Sequence, residues 1–181
     1  MNTVDKLLAA AAEIWKSYNE HPFVLGIQNG TLDKEKFRYY MIQDYLYLED
    51  YAKTFAVGVA KAKSLEIANL FAKYIPVMNG ELNVHDRYLA RLGVTQEEID
   101  STSRSLDNLS YTSYMLCVAY EEGEAEILAA ILSCAYSYEV IAKKIVENNP
   151  ASVSDEFYGD WVAGYISERY AEDNAVLLDE L

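Results

Sequence analysis

The chain is short of basic residues, cysteine, histidine, proline and glycine, and each shortage removes a class of protein. Fifteen Lys and Arg stand against 29 Asp and Glu in 181 residues, for a formal charge of −14. A nucleic-acid surface needs a basic patch, and an anionic membrane repels such a balance, so neither is an expected partner. Two cysteines, Cys117 and Cys134, cannot build a disulfide framework and read as free thiols in a reducing compartment. Residues 1–6 lack the basic opening of a signal peptide, and no uninterrupted apolar run approaches the roughly 20 residues of a membrane span. A cytoplasmic protein is expected. Gly-rich phosphate loops, serine nucleophile elbows and Cys-x-x-Cys pairs are all missing from the sequence.

What is present is apolar and aromatic. Half of the residues are hydrophobic, which argues against disorder, and the length suits one domain able to bury a core without disulfides or metal. Tyr accounts for 16 of the aromatics against 5 Phe and 2 Trp. A buried Tyr hydroxyl must find a partner, so the excess belongs either on helix surfaces and interfaces or around a polar pocket.

The 3 Pro and 8 Gly fall mostly between stretches of helical period. Leu7, Leu8, Ala11, Ile14, Trp15 and Tyr18 predict a first helix over 3–19, ended by His21-Pro22, with a turn at 23–28. A second long helix is expected over 33–63. A third, over 64–92, carries Pro76, which should kink or split it before Leu82, His85 and Leu89 continue its stripe. Thr95 and Glu98 have the spacing of a capping box for a short helix. Helices are expected over 110–122 and 124–148, and a last helical stretch from about residue 154 to the end. No alternating strand pattern competes, so the fold class is all-α, a single-domain helical bundle.

Three positions break the apolar pattern. At about 100° per residue, Phe37, Tyr40, Tyr47, Leu48, Tyr51 and Phe55 all fall within about 40° of Asp44, while Arg38, Glu49, Asp50 and Lys53 take the far face. A carboxylate in that position either bonds buried hydroxyls or a helix end, or faces a ligand that offers N–H groups. Cys134 is centred among Ile127, Ala130, Tyr138, Ile141 and Ile145, where it is either inert packing or a nucleophile. An ordinary thiol is only about 3% thiolate at pH 7, so catalysis would need help from its surroundings. Cys117, among apolar neighbours, reads as core. Glu81 and His85 are four apart and read as a hydrogen-bonded pair. Di-iron bundles use Glu-x-x-His twice, and the only other histidine is His21, so neither metal nor haem is expected. The cluster at 121–126 reads as a solvated acidic turn, with Glu suited to the start of the next helix.

Several strings, taken in order, resemble the TenA family, the thiaminase II proteins. They are His21-Pro22-Phe23-Val24 with Gly26-Ile27 and Gly30-Thr31-Leu32; Phe37-Arg38-Tyr39-Tyr40 leading to Gln43-Asp44 and Tyr47-Leu48; Tyr111-Thr112-Ser113-Tyr114-Met115; Ala125-Glu126-Ile127-Leu128; Cys134 with Tyr138-Glu139-Val140; and Tyr158, Trp161 and Tyr165. The resemblance covers essentially the whole chain. It implies a haem-oxygenase-like bundle that binds no haem and no cofactor, usually a homotetramer. It implies hydrolysis of 4-amino-5-aminomethyl-2-methylpyrimidine, or thiamin, to the hydroxymethyl pyrimidine for thiamin salvage. In the matching positions, Cys134 is the nucleophile, Asp44 holds the ring nitrogen and amino group, Tyr111 and Tyr138 line the ring, and Tyr47 and Tyr165 orient the acid–base groups. Tyr51 and Tyr114 are left as supporting or core positions. Cys134 places the chain in the cysteine-containing branch.

One departure is expected to matter. The family continues with a further helix that carries an acid–base Glu, and no position of this sequence matches it. The corresponding alternative is a pyrimidine-binding module of the same fold without turnover, since general acid catalysis contributes about 10²–10⁴-fold.

Overall fold

A computed structural model describes residues 2–181, and for residues 77–84 it describes the backbone alone. It is all-helical, and no strand occurs among the described residues. The expectations for the side chains of Glu81 and Leu82 lie outside the described residues. Chain contacts divide it into two compact units, Lys34–Ile131 and a second one built from Met1–Asp33 with Leu132–Leu181.

The contiguous unit is organised by α4 (Lys34–Lys61), which packs against α5 (Leu65–Arg91) and α7 (Leu106–Glu121), with the short α6 (Gln96–Ser101) between them in sequence. The α4 stripe is buried as its phase predicts, from Phe37 and Met41 through Leu48 and Tyr51 to Phe55. Phe37 meets Tyr88 edge-on, and Phe55 meets Phe71 and Tyr74. Gly58 lets α5 close in. A Cβ there would lie 2.7 Å from the Phe71 ring, so Gly58→Ala should destabilise the protein by about 1–3 kcal/mol in thermal unfolding.

Pro76 does not split α5, which runs unbroken from Leu65 to Arg91. The proline is exposed, while Phe71 and Tyr74 are buried, so packing overrides the lost backbone bond. Helix α7 begins a turn earlier than its apolar pattern suggests, because Ser105 caps it by accepting from the Asn108 N–H. Thr95 caps α6 in the same way, but Glu98 bonds Arg38 at 2.6 Å. The segment leading into α7 is tied to α4. Gln43 accepts from the Ser105 N–H and donates to the Ser103 carbonyl, while Arg104 donates to the Leu46 carbonyl and to Glu49. Arg104 and Lys53 also flank Asp50, which is therefore only 7% exposed and not on a solvated face as its phase implied. At the other end of α7, Lys61 donates to the carbonyls of Ala119, Tyr120 and Glu122, placing a cation where the helix dipole is negative.

In the second unit, the expected first helix is two, α1 (Thr3–Ala10) and α2 (Ala12–Glu20), separated at Ala11. None of their residues is buried, so no core enforces continuity. The expected turn at 23–28 is a helix, α3 (Pro22–Gln28): His21 caps it through Nδ1 and Pro22 takes the first position. Proline starts a helix readily there, since its missing N–H would be unused. Gly30 follows in the left-handed region at φ 66°. A 3-10 turn, Pro150–Ser154, leads to α9 (Gly159–Tyr165) and α10 (Glu168–Asp179). The expected single last stretch is broken because Ser167 caps a new helix. Tyr158 ties this region back by donating to the Leu32 carbonyl at 2.5 Å.

The helix α8 (Glu124–Asn148) starts in one unit and ends in the other, with the boundaries its sequence predicts. It is the one described helix long and apolar enough to cross a membrane. Here it buries Ile127, Leu128, Ile131, Leu132, Ala142 and Ile145.

Candidate active site

In the contiguous unit, Asp44 leaves the buried stripe of α4 with its side chain only 12% exposed. Its Oδ2 accepts from the Tyr40 hydroxyl at 3.0 Å, one turn back, and lies 2.7 Å from Nε2 of His85 on α5. An ionised carboxylate only accepts, so Nε2 must carry the proton of that bond. The histidine is 3% exposed. Sequence reasoning paired His85 with Glu81 along the helix; the structure pairs it across α4 and α5. The available signal was a histidine on an apolar stripe, which needs a partner from another element.

One turn after Asp44, the ring of Tyr47 stacks on Tyr51 at 5.2 Å and, almost parallel, on Tyr111 of α7 at 5.6 Å. Tyr51 donates to the Ile131 carbonyl, and the Tyr47 hydroxyl makes a long contact of 3.9 Å with the Met115 sulfur. Tyr111 remains 39% exposed. The position of the Ser105 cap thus decides which α7 side chain meets Tyr47. Tyr114, expected in support of the site or in the core, is instead 70% exposed.

The second unit holds the other expected site residues. Cys134 is half-buried on α8, and Tyr138 lies one turn further along. Tyr138 packs on Tyr165 of α9 at 4.6 Å, and both rings contact Trp161. Tyr165 meets Tyr170 of α10 edge-on. Tyr170 and Asn174 donate to the carbonyl of Ala135, the residue after Cys134, and Asn174 also donates to Glu139 at 2.6 Å. Glu139 is buried and receives Lys143 as well. These α10 contacts, which hold the turn of α8 between Cys134 and Glu139, were not anticipated. Their signal is weak, an Asn and a Tyr four apart in a polar helix.

Cys117, expected in the core, is exposed. The buried face of α7 is set by Thr112, Met115 and Ala119, and residue 117 lies about 200° from Met115. The Glu121 carboxylate, first by hydrogen bonding and then by its charge, raises the Cys117 thiol above its ordinary value. Alkylation of Cys117 near neutral pH should therefore be slow for an exposed thiol, and Glu121→Gln should accelerate it; peptide mapping after timed iodoacetamide treatment reads both. No group of three or more His, Cys, Asp or Glu able to hold a metal ion occurs among the described residues.

Residues 8–178 match the TENA/THI-4/PQQC family. The chain belongs to that family. Among TENA/THI-4/PQQC relatives, the chain is 41% identical over its full length to an aminopyrimidine aminohydrolase of Helicobacter pylori, covering 85% of that protein. It is 39% identical over 95% of its length to an aminopyrimidine aminohydrolase of Halalkalibacterium halodurans, covering 77% of it. A solved TenA homologue from P. horikoshii OT3 superposes with a TM-score of 0.86 at 33% identity, over 96% of this chain and 81% of that one.

Proposed function

We propose that the protein is a hydrolase acting on a C–N bond, an aminopyrimidine aminohydrolase of the thiaminase II type that serves thiamin salvage. The observation that carries this reading is the Asp44 site. A shielded carboxylate with its plane fixed by two protein contacts, one turn from stacked Tyr47 and Tyr111, suits a flat ring whose edge presents N–H groups. The full-length similarity to two proteins named aminopyrimidine aminohydrolase supports the same substrate class.

In this reading Asp44 binds the amino group and the protonated ring nitrogen of 4-amino-5-aminomethyl-2-methylpyrimidine, which makes the ring an electron sink. The Cys134 thiolate adds to a ring carbon. The ring then expels ammonia from the exocyclic carbon, or the thiazole when thiamin is the substrate. Water adds to the resulting methylene and gives up a proton, and loss of the thiolate restores the aromatic ring. The net change replaces a C–N bond with a C–O bond, and no cofactor enters. Tyr111 and Tyr138 line the ring, and Tyr47 and Tyr165 orient the groups that move protons. All 181 residues act as one domain in this reading, working in the cytoplasm as a homotetramer; sedimentation of the purified protein tests the assembly.

The deciding experiment incubates purified protein with the aminomethyl pyrimidine and follows ammonia and the hydroxymethyl product. Stoichiometric release of both is expected. Product binding without any release from the amine would replace hydrolysis with binding alone.

A further inference from the structure

The Asp44 site contains a side chain to which the reaction above assigns no task. His85 sits on α5, in the buried stripe that includes Tyr88 and Leu89, and it is 3% exposed. Its Nε2 is 2.7 Å from Asp44 Oδ2, the same oxygen that accepts from Tyr40 at 3.0 Å. A histidine in an apolar stripe costs stability unless its ring nitrogens are satisfied, and a leucine would fill the position without that demand. Its presence therefore calls for a task that a leucine could not do.

We propose that His85 is a positioning residue for the aminopyrimidine, acting through Asp44. Resting on the function proposed above, it names the group that sets how the carboxylate meets the ring. A carboxylate on its two-bond stem rotates about Cβ–Cγ, and its bonds to a planar N–H edge depend on that angle. Tyr40 donates from the same helix, one turn away, through a ring that can move with the stem. His85 donates from a different helix, so its bond fixes Asp44 against α5. Phe37 packs edge-on against Tyr88 and at a tilt against Tyr40, which supports both donors from one buried ring. Substrate thus meets a carboxylate already in place, and binding does not have to order it.

The test uses the full chain and compares His85→Gln with His85→Leu. A glutamine side chain can place its Nε2 donor near the position of the histidine Nε2; leucine fills the space and cannot donate. Binding of the hydroxymethyl pyrimidine is measured by calorimetry and turnover by ammonia release. His85→Leu should weaken binding about tenfold and lower kcat/KM by at least as much, the usual size for one charge-assisted hydrogen bond. His85→Gln should recover most of both. In an Asp44→Asn background the same leucine substitution should change binding less than about twofold, because the carboxylate through which His85 acts is gone. A purely structural role would instead add its effect in either background.

Wild-type affinity in His85→Leu would overturn the inference. So would glutamine no better than leucine, or an undiminished leucine effect in the Asp44→Asn background. If His85→Leu does not fold, His85→Gln and Tyr40→Phe decide: near-wild-type binding by the glutamine variant supports the inference, and a tenfold loss overturns it. Failure of the functional reading looks different, since wild-type protein would then neither bind the pyrimidine nor release ammonia.

Discussion

Replacing Cys134 with alanine should abolish ammonia release from the aminomethyl pyrimidine, a loss of about 10³-fold or more, and leave the helical signal and product affinity near wild type. Removing a nucleophile eliminates the covalent route, and what remains is the slow direct attack of water. The expectation is specific because the second thiol provides an internal control. Cys117 is exposed on the opposite side of α7 from its buried face and is discouraged from ionising by Glu121. Cys117→Ser should therefore leave the rate unchanged. Full activity in Cys134→Ala, or loss in Cys117→Ser, would remove Cys134 from the mechanism. Mass spectrometry of protein quenched during turnover adds a direct reading: an adduct of pyrimidine mass on the peptide containing Cys134, and none on the one containing Cys117.

The second large effect belongs to Asp44. Asp44→Asn keeps the size of the side chain and can still accept from Tyr40 or His85, so the melting temperature should move little. The amide lacks the charge that a protonated ring nitrogen pairs with, and kcat/KM should fall by about 10²–10³-fold, the range for removing one electrostatic contact from a reacting centre. The fall should exceed the loss of product affinity, because the ring carries most charge while it acts as electron sink. Equal losses in both would mean that Asp44 holds the ring but does not help to activate it.

Helix phase made Asp44 visible in the sequence, since one acidic residue within an aromatic stripe stands out whatever surrounds the helix. It did not reveal what satisfies the carboxylate, because His85 is 41 residues away and its contact depends on how α4 and α5 face each other. Asp50 failed for a related reason: its phase says solvent, but Arg104, in the segment leading to α7, covers it. Cys117 was misjudged from neighbours of both kinds of face, and only the position of Met115 settles its orientation. The segment 23–28 was read as a turn because His21-Pro22 ends α2, although the same proline is well placed to start α3. Boundaries such as those of α8 were legible where apolar period and flanking Gly123 and Pro150 agree. The break at Ser167 lacked such agreement. Tyrosine excess proved to have several uses: hydroxyls of Tyr51, Tyr158 and Tyr170 donate to backbone carbonyls, while Tyr114 and Tyr120 are simply exposed.

The division of the chain into a contiguous unit and a discontinuous one also has a temporal meaning. Residues 34–131 can make all their mutual contacts once that stretch has been synthesised, whereas residues 1–33 must wait for 132–181. The waiting contacts join residues more than a hundred positions apart, as in Tyr158 with Leu32 and Asn149 with Gln28. Closure over such distances is slow and leaves apolar surface uncovered in the meantime. During synthesis, then, the setting of Asp44 and His85 forms early, and that of Cys134 and Tyr165 forms last.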